Sequence, residues 1–457
     1  MSTFATTSPR DGAELSNYHT MTKDERAASV DRSAAAFESW SRATLEERAR
    51  VLREIARLHR ERVDQLAVLA ANEMGKPISQ GRAEVEQLAK IFDFYADHGP
   101  EFLQDEHLEH VEGGRALVRS APLGPVLGVM PWNFPYYQVA RFVAPNLLLG
   151  NTILLKHARS CAATSIEIAR IIAEAGAPEG VYENLLVSGP DINEFIADPR
   201  VRAVSLTGSE EAGRSVALSA AQHLKKCVLE LGGSDPFIVL PDADIDSAVE
   251  FASSGRFNNA GQACTSAKRM IVHADVWDEF LEKFLSETQK WSTGDPLEES
   301  TKLGPLSSEA VRFDVASQVD DAVSKGARVH AGGSVPEGPG SYYPATVLTG
   351  VTPEMRAYRE ELFGPVAVLY RVSSEDEAIA LANDTPFGLG AVVFSSDPEK
   401  AERIANALDT GMVGLNTTLR SQPGLPFGGV KDSGFGRELG RFGLEEFANK
   451  KLLRYAQ

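Results

Sequence analysis

A chain of 457 residues with 46 basic and 64 acidic side chains carries a formal charge of −18. Such a surface repels nucleic acid and an anionic membrane face alike. Apolar residues at 43 % and charged ones at 24 % exclude wholesale disorder, and the length predicts about three domains or lobes.

Residues 1–20 are rich in Ser and Thr and lack periodicity, which predicts a loose arm with no legible leader. Helical periodicity runs from Asp24 to Trp40. A long helix is expected from Thr44, where Thr44-Leu45-Glu46-Glu47 makes a capping box, with one apolar stripe running to Ala70 and Gly75 and Pro77 stopping it. Another helix is expected from Ser79 to about His98. β-rich runs at 126–130, 152–156, 184–187 and 203–206 then alternate with Ala-rich helical stretches at 162–175 and 211–221. Runs at 237–240, 267–272, 366–370, 391–394 and 412–415 repeat the texture, and 331–344 reads as a surface loop. The fold class is therefore α/β, with parallel sheets in two lobes and a site in the cleft between them. No stretch approaches the roughly 18 apolar residues of a membrane span.

The three cysteines, Cys161, Cys227 and Cys264, are widely separated. That spacing excludes a disulfide scaffold and a cysteine-rich zinc module, and it points to a reducing, cytoplasmic setting. Cys264 stands in Asn258-Asn259-Ala260-Gly261-Gln262-Ala263-Cys264, a polar turn between a helix and a strand. The turn leaves two readings open, a nucleophile or a small buried hydrophobe. Cys161 opens a helix and Cys227 lies on a strand, where packing suffices. Glu230, in Val228-Leu229-Glu230-Leu231-Gly232-Gly233, is either a general base raised by burial or a solvated glutamate on an edge strand. Asn133, in Pro131-Trp132-Asn133-Phe134-Pro135, is a fixed amide donor of the kind an oxyanion needs. Lys156 ends a strand, where ligands bind in open α/β sheets. Gly208-Ser209 turns from strand to helix and can offer backbone N–H groups to phosphate. His107 and His110 read as a solvated loop rather than metal ligands, and no metal is expected. Gly434-Phe435-Gly436-Arg437 reads as a turn before the last helix.

Seven segments in order resemble the aldehyde dehydrogenase superfamily. They are Pro131 to Pro135, Leu155-Lys156, Thr207-Gly208-Ser209, Glu230-Leu231-Gly232-Gly233, Gly261 to Cys264, Glu361-Leu362-Phe363-Gly364-Pro365, and Pro426 to Gly434. The resemblance implies a Rossmann-like cofactor lobe (21–103 and 123–231), a catalytic lobe (232–434), and bridging segments (104–122 and 435–457) that make homodimers or homotetramers. It implies Cys264 as nucleophile, Asn133 as oxyanion donor, Glu230 as water-activating base, and Lys156 as a further member of the catalytic set. Lys156 is also implied to hold the adenosine ribose and Glu361 the nicotinamide ribose. Phe363 is implied near the nicotinamide, with Trp132, Gly208, Ser209, Glu230, Leu231 and Gly232 along the cofactor cleft.

Where many NAD-using relatives carry a glutamate three residues after the cofactor lysine, this chain has Arg159, which favours NADP over NAD. Arg141 and Ser421 match carboxylate-binding positions of succinate-semialdehyde dehydrogenases, and the resemblance is strongest to a bacterial, NADP-preferring branch of that group. The expected substrate is accordingly a small aldehyde carrying a carboxylate, succinic semialdehyde first. Against this, another arginine of some relatives is Asn258 here, with Arg256 or Arg420 as compensating candidates, and Arg141 also reads as a surface arginine. The alternatives are a broad-specificity aldehyde dehydrogenase, an acylating enzyme, against which Glu230 weighs, or a cofactor binder without turnover.

Overall fold

The computed structural model describes residues 3–456. Strands β1 (Thr3–Thr7) and β2 (Glu14–His19) pair antiparallel, so the expected loose arm is an ordered hairpin; residues 1 and 2 lie outside the described residues. Its polar sequence hides the order, because the hairpin is held by contacts with distant parts of the chain. Met21 N donates to Leu186 O at 2.9 Å and Ser341 N to Pro9 O at 2.7 Å.

Four helices follow, α1 (Lys23–Trp40), α2 (Leu45–Glu61), α3 (Val63–Met74) and α4 (Ile78–Phe102). The expected capping box closes α2, with Thr44 Oγ1 accepting from Glu47 N at 3.2 Å and Glu47 accepting from Thr44 N at 2.7 Å. The single long helix expected from Thr44 breaks at Arg62, whose φ of −110° and ψ of 17° leave the helical region. No glycine or proline marks this break. Both α2 and α3 pack on α4, and that packing outweighs the local preference for one continuous helix.

The first lobe is built on β5 (Pro125–Met130), β6 (Thr152–His157), β7 (Tyr182–Asn184), β8 (Ala203–Thr207) and β9 (Lys226–Glu230), after β3 (Glu106–Leu108) and β4 (Gly114–Pro122). Helices α5 (Tyr137–Leu149), α6 (Ala162–Glu174), α7 (Ile192–Ala197) and α8 (Glu210–Gln222) alternate with these strands. β7 begins two residues before the expected run and stops at Asn184. Alternate residues face opposite cores: Val126, Ile153, Leu155 and Val228 enter one, and Leu127, Leu154, Val204 and Leu229 the other. A parallel sheet covered on both faces requires that pattern.

The second lobe carries β10 (Asp235–Val239), helix α9 (Ile245–Phe257), β11 (Ala267–His273), β12 (Arg328–Ala331), β13 (Thr346–Thr349), β14 (Val366–Val372), β15 (Phe387–Gly388), β16 (Gly390–Phe394) and β17 (Met412–Leu415). Its sheet runs β12-β13-β14-β11-β10-β16-β17. Strands β18 (Val430–Lys431), β19 (Gly434–Phe435) and β20 (Ala448–Ala456) follow. β19 returns to the first sheet, giving the order β19-β9-β8-β5-β6-β7, so Gly434-Phe435 is an edge strand rather than only a turn. A Cβ at Gly434 would lie 2.0 Å from Leu229 O, which explains how this approach is possible. β20, β4 and β3 form a separate antiparallel sheet. Among the described residues, no helix is long and apolar enough to cross a membrane.

Candidate active site

Cys264 follows a turn over Asn258–Gly261 in which Asn259 (φ 54°), Ala260 (φ 53°) and Gly261 (φ 71°) are all left-handed. That conformation is costly for a non-glycine residue, so it persists only where neighbours enforce it. A Cβ on Gly261 would lie 2.3 Å from Gly364 O. Side-chain amides supply the enforcement. Asn259 Nδ2 donates to Asn133 O at 2.8 Å, Asn133 Nδ2 to Gln262 O at 3.1 Å, and Gln262 Nε2 to Asn259 O at 3.1 Å. The thiol turn and the Asn133 turn are thereby one hydrogen-bonded unit. His157, held neutral by burial that lowers it to about 4, donates from Nε2 to Pro135 O at 3.0 Å and ties β6 to the same unit.

The Cys264 residue is half-buried, and desolvation pushes its thiol up to about 12. Arg141 and Lys268 oppose that shift, while Glu361 and Asp235 add to it. Lys268 is buried and donates to Ala263 O and Cys264 O, each at 2.8 Å. The same ammonium pairs with Glu361 Oε1 at 3.0 Å, which also accepts from Gly233 N at 3.1 Å. Asp235, beside this pair, is pushed up to about 7 by burial, with Lys268 opposing.

Glu230 ends β9 opposite Gly434. β19 covers that side of the strand, so the solvated-edge reading fails. The carboxyl is buried, and neither oxygen meets a hydrogen-bond donor. Burial first and Glu438 second raise it well above the usual carboxylate range, against Arg141 and Arg437.

Arg141 is fully buried in α5, not a surface residue. Its Nε pairs with Glu438 at 2.6 Å, and its guanidinium lies 4.2 Å over the Phe427 ring. Nη1 reaches Tyr137 Oη at 3.4 Å, and that hydroxyl meets Ser421 Oγ at 2.5 Å. A polar file therefore runs from the half-buried Ser421 inward to Arg141. Arg256 cannot compensate for Asn258, because it is buried and donates to the carbonyls of Val366 at 2.6 Å and Leu362 at 2.8 Å. Arg420 is exposed.

A second group lies at the carboxyl ends of β5, β6, β8 and β9. Trp132 and Phe363 meet edge to face with centroids 5.7 Å apart. Lys156 is half-buried and Arg159 exposed, and neither has an ion-pair partner among the described residues. Burial and then the Arg159 charge lower Lys156. The space a Gly208 side chain would take is open except for Leu206 at 3.5 Å, while Ser209 caps α8 by accepting from Ala212 N at 3.3 Å. Leu231 is buried, and Gly232 is hemmed in, since a Cβ there would lie 2.7 Å from Glu361 Oε2. Unpaired cations at one end, with an aromatic pair and a carboxylate at the other, fit a dinucleotide carrying extra phosphate.

Sequence reasoning misses Lys268, Asp235, Arg437 and Glu438. Arg437 ends the glycine-rich stretch read as a turn and Glu438 follows it, and two adjacent charges there are the available signal. Lys268 and Asp235 offer none, because each is an ordinary strand residue until the fold brings Glu361 beside it.

The Aldehyde dehydrogenase family profile matches residues 1–453. A Deinococcus radiodurans protein named succinate-semialdehyde dehydrogenase [NADP(+)] is 51% identical over 451 residues, covering 99% of this chain and 94% of its own. A Paenarthrobacter nicotinovorans aldehyde dehydrogenase is 46% identical, with 98% of this chain and 99% of its own covered. The crystal structure of succinic semialdehyde dehydrogenase from Streptococcus pyogenes with NADP+ superposes with a TM-score of 0.97 at 40% identity, covering 99% of this chain and all of that one. With the Cys264 turn and Asn133 in one hydrogen-bonded unit and a profile match over residues 1–453, the chain belongs to the aldehyde dehydrogenase family.

Proposed function

We propose that this enzyme oxidises succinic semialdehyde to succinate with NADP. The observation that carries the reading is the amide network that locks the Cys264 turn to Asn133, with Glu230 buried at the end of β9. The names borne by the Deinococcus and Streptococcus relatives support the same substrate and cofactor.

Cys264 gives up its thiol proton to solvent and its sulfur bonds to the aldehyde carbon. The resulting oxyanion is met by Asn133 Nδ2 and the Cys264 N–H. Bound NADP supplies the hydride acceptor. Glu230 then takes a proton from water, whose oxygen attacks the thioester carbon; the C–S bond breaks, the acid leaves and Cys264 recovers a proton. Lys156 holds the adenosine ribose, Arg159 its 2′-phosphate, and Glu361 the nicotinamide ribose, with Trp132, Phe363, Gly208, Ser209, Leu231 and Gly232 lining the cleft. Ser421 and Tyr137 receive the substrate carboxylate, and the Arg141 charge lies behind them.

On this reading 21–103 and 123–231 form the cofactor domain and 232–434 the catalytic domain, while 104–122 and 435–457 bridge subunits of a homodimer or homotetramer. Exposed Leu108 and Leu452 on the β20-β4-β3 sheet support that last role. Three free cysteines fit a cytoplasmic enzyme.

A spectrophotometric panel of aldehydes with NAD and NADP tests the proposal. Succinic semialdehyde with NADP is expected to give the highest kcat/KM. Equal values for butanal overturn the substrate, and a clear preference for NAD overturns the cofactor.

A further inference from the structure

The N-terminal hairpin touches both lobes. Toward the second lobe, Pro9 O accepts from Ser341 N at 2.7 Å and Arg10 Nη1 meets Asp295 Oδ2 at 3.5 Å. A Cβ on Gly340 would lie 2.1 Å from Arg10 O, so the tip sits directly on that loop. Toward the first lobe, the chain leaving β2 is fixed by the bond from Met21 N to Leu186 O at 2.9 Å. Between these two attachments, Phe4 of β1 lies against Tyr18 of β2, with ring centroids 5.5 Å apart. Over that Phe4 ring stands the guanidinium of Arg159, with Cζ 4.2 Å from the centroid.

This stacking has a particular chemical result. A guanidinium held over an aromatic face still has N–H donors to offer, and it loses rotational freedom that a free arginine retains. Arg159 is exposed and has no carboxylate partner among the described residues, so its donors stay available, near enough to Lys156 for the two charges to act on each other. Phe4 is itself fixed by a hairpin bonded at both ends.

We propose that Phe4 is a specificity-determining positioning residue, which holds Arg159 with its donor edge toward a phosphate monoester on the adenosine ribose of the cofactor. This rests on the NADP reading of Arg159 given above. Phe4 does not touch the phosphate; it reduces the freedom Arg159 must lose on binding it. The benefit therefore falls on ligands that carry the phosphate and is absent for those that lack it.

Calorimetric titration of the full chain with NADP, NAD and adenosine 2′,5′-bisphosphate tests this without turnover. Phe4→Leu keeps apolar bulk and removes the aromatic face. It is expected to weaken NADP and the bisphosphate about two- to five-fold while leaving NAD unchanged. Phe4→Trp is expected to restore both. Arg159→Ala is the separating arm, expected to weaken both phosphate-bearing ligands at least as much. If Arg159→Ala is selective for them and Phe4→Leu is not, the role of Phe4 is overturned and the NADP reading stands. If neither is selective, both fall. Equal weakening of NAD and NADP by Phe4→Leu makes the hairpin a structural brace alone, which also overturns the proposal.

Discussion

With its thiol pushed up to about 12, Cys264 is almost wholly protonated at neutral pH, and each unit by which pH rises toward that value multiplies the thiolate about tenfold. Inactivation of the ligand-free enzyme by iodoacetamide should therefore accelerate about tenfold per unit between pH 7 and 9; a rate flat across that range contradicts the burial argument. The sign for Glu230 is the same. Burial, with Glu438 beside it, raises the carboxyl well above the usual range, so its base form, and with it the thioester hydrolysis of the proposed mechanism, grows as pH rises. Glu230→Gln should retain a single-turnover burst of reduced cofactor and lose steady turnover by about 10²- to 10⁴-fold. Stopped-flow absorbance separates the two phases. For the substrate end, Arg141→Ala is a blunt test, because it strands Glu438 in the core at a cost of about 3–5 kcal/mol. Ser421→Ala removes one hydroxyl at the outer end of the file. It should raise KM for succinic semialdehyde several-fold and leave butanal unaffected, as initial rates would show. Cys264, Glu230 and Asn133 were legible because each stands in a distinctive short segment. Lys268 was not, since its two carbonyl partners and Glu361 meet only in the folded chain.

Two helices that frame the site are capped from a distance. Glu84 of α4 accepts from Tyr136 N at 2.8 Å and Tyr137 N at 3.0 Å at the start of α5. Glu73 of α3 accepts from Ala163 N at 2.7 Å and Thr164 N at 3.0 Å at the start of α6. Both carboxyls are buried, and Glu84 also pairs with buried Lys76, whose ammonium lies 3.9 Å over the Phe134 ring. Anionic groups belong at helix N-termini, and here Glu84 also fixes the segment that carries Asn133. Glu84→Ala should lower stability by about 3–5 kcal/mol, because it leaves a buried cation and two N–H groups unpaired. Glu47→Ala, in the exposed box of α2, should cost far less, since water takes over the freed N–H. Urea denaturation compares them. The box at Thr44 was readable because both partners lie within four residues, while caps supplied from 52 residues away leave no local trace. The break at Arg62 was equally hidden, being set by what α2 and α3 pack against.

Alternating strands and helices were enough to predict two parallel α/β lobes, since that periodicity is local. They could not show that β19 rejoins the first sheet, nor that a polar terminus folds as a hairpin spanning both lobes. In each case the deciding contacts lie with residues distant in sequence. At this scale the β20-β4-β3 sheet offers a test of assembly. β20 is an edge strand with Leu452 exposed, and an exposed apolar edge invites pairing with another chain. If the sheet bridges subunits as proposed, Leu452→Glu should shift the enzyme toward smaller species in sedimentation velocity; an unchanged distribution overturns that bridging role.

The chain passes from first lobe to second just after Glu230 and returns just before Gly434, and those two residues are register partners. The crossing segments are also bonded to each other, Leu231 N to Ser433 O at 3.0 Å and Ser433 Oγ to Gly232 O at 2.6 Å. In architectural terms the second lobe is an insertion whose entrance and exit share one doorway. Glu230, the base of the proposed mechanism, therefore stands in that doorway, fixed by both crossings of the chain at once.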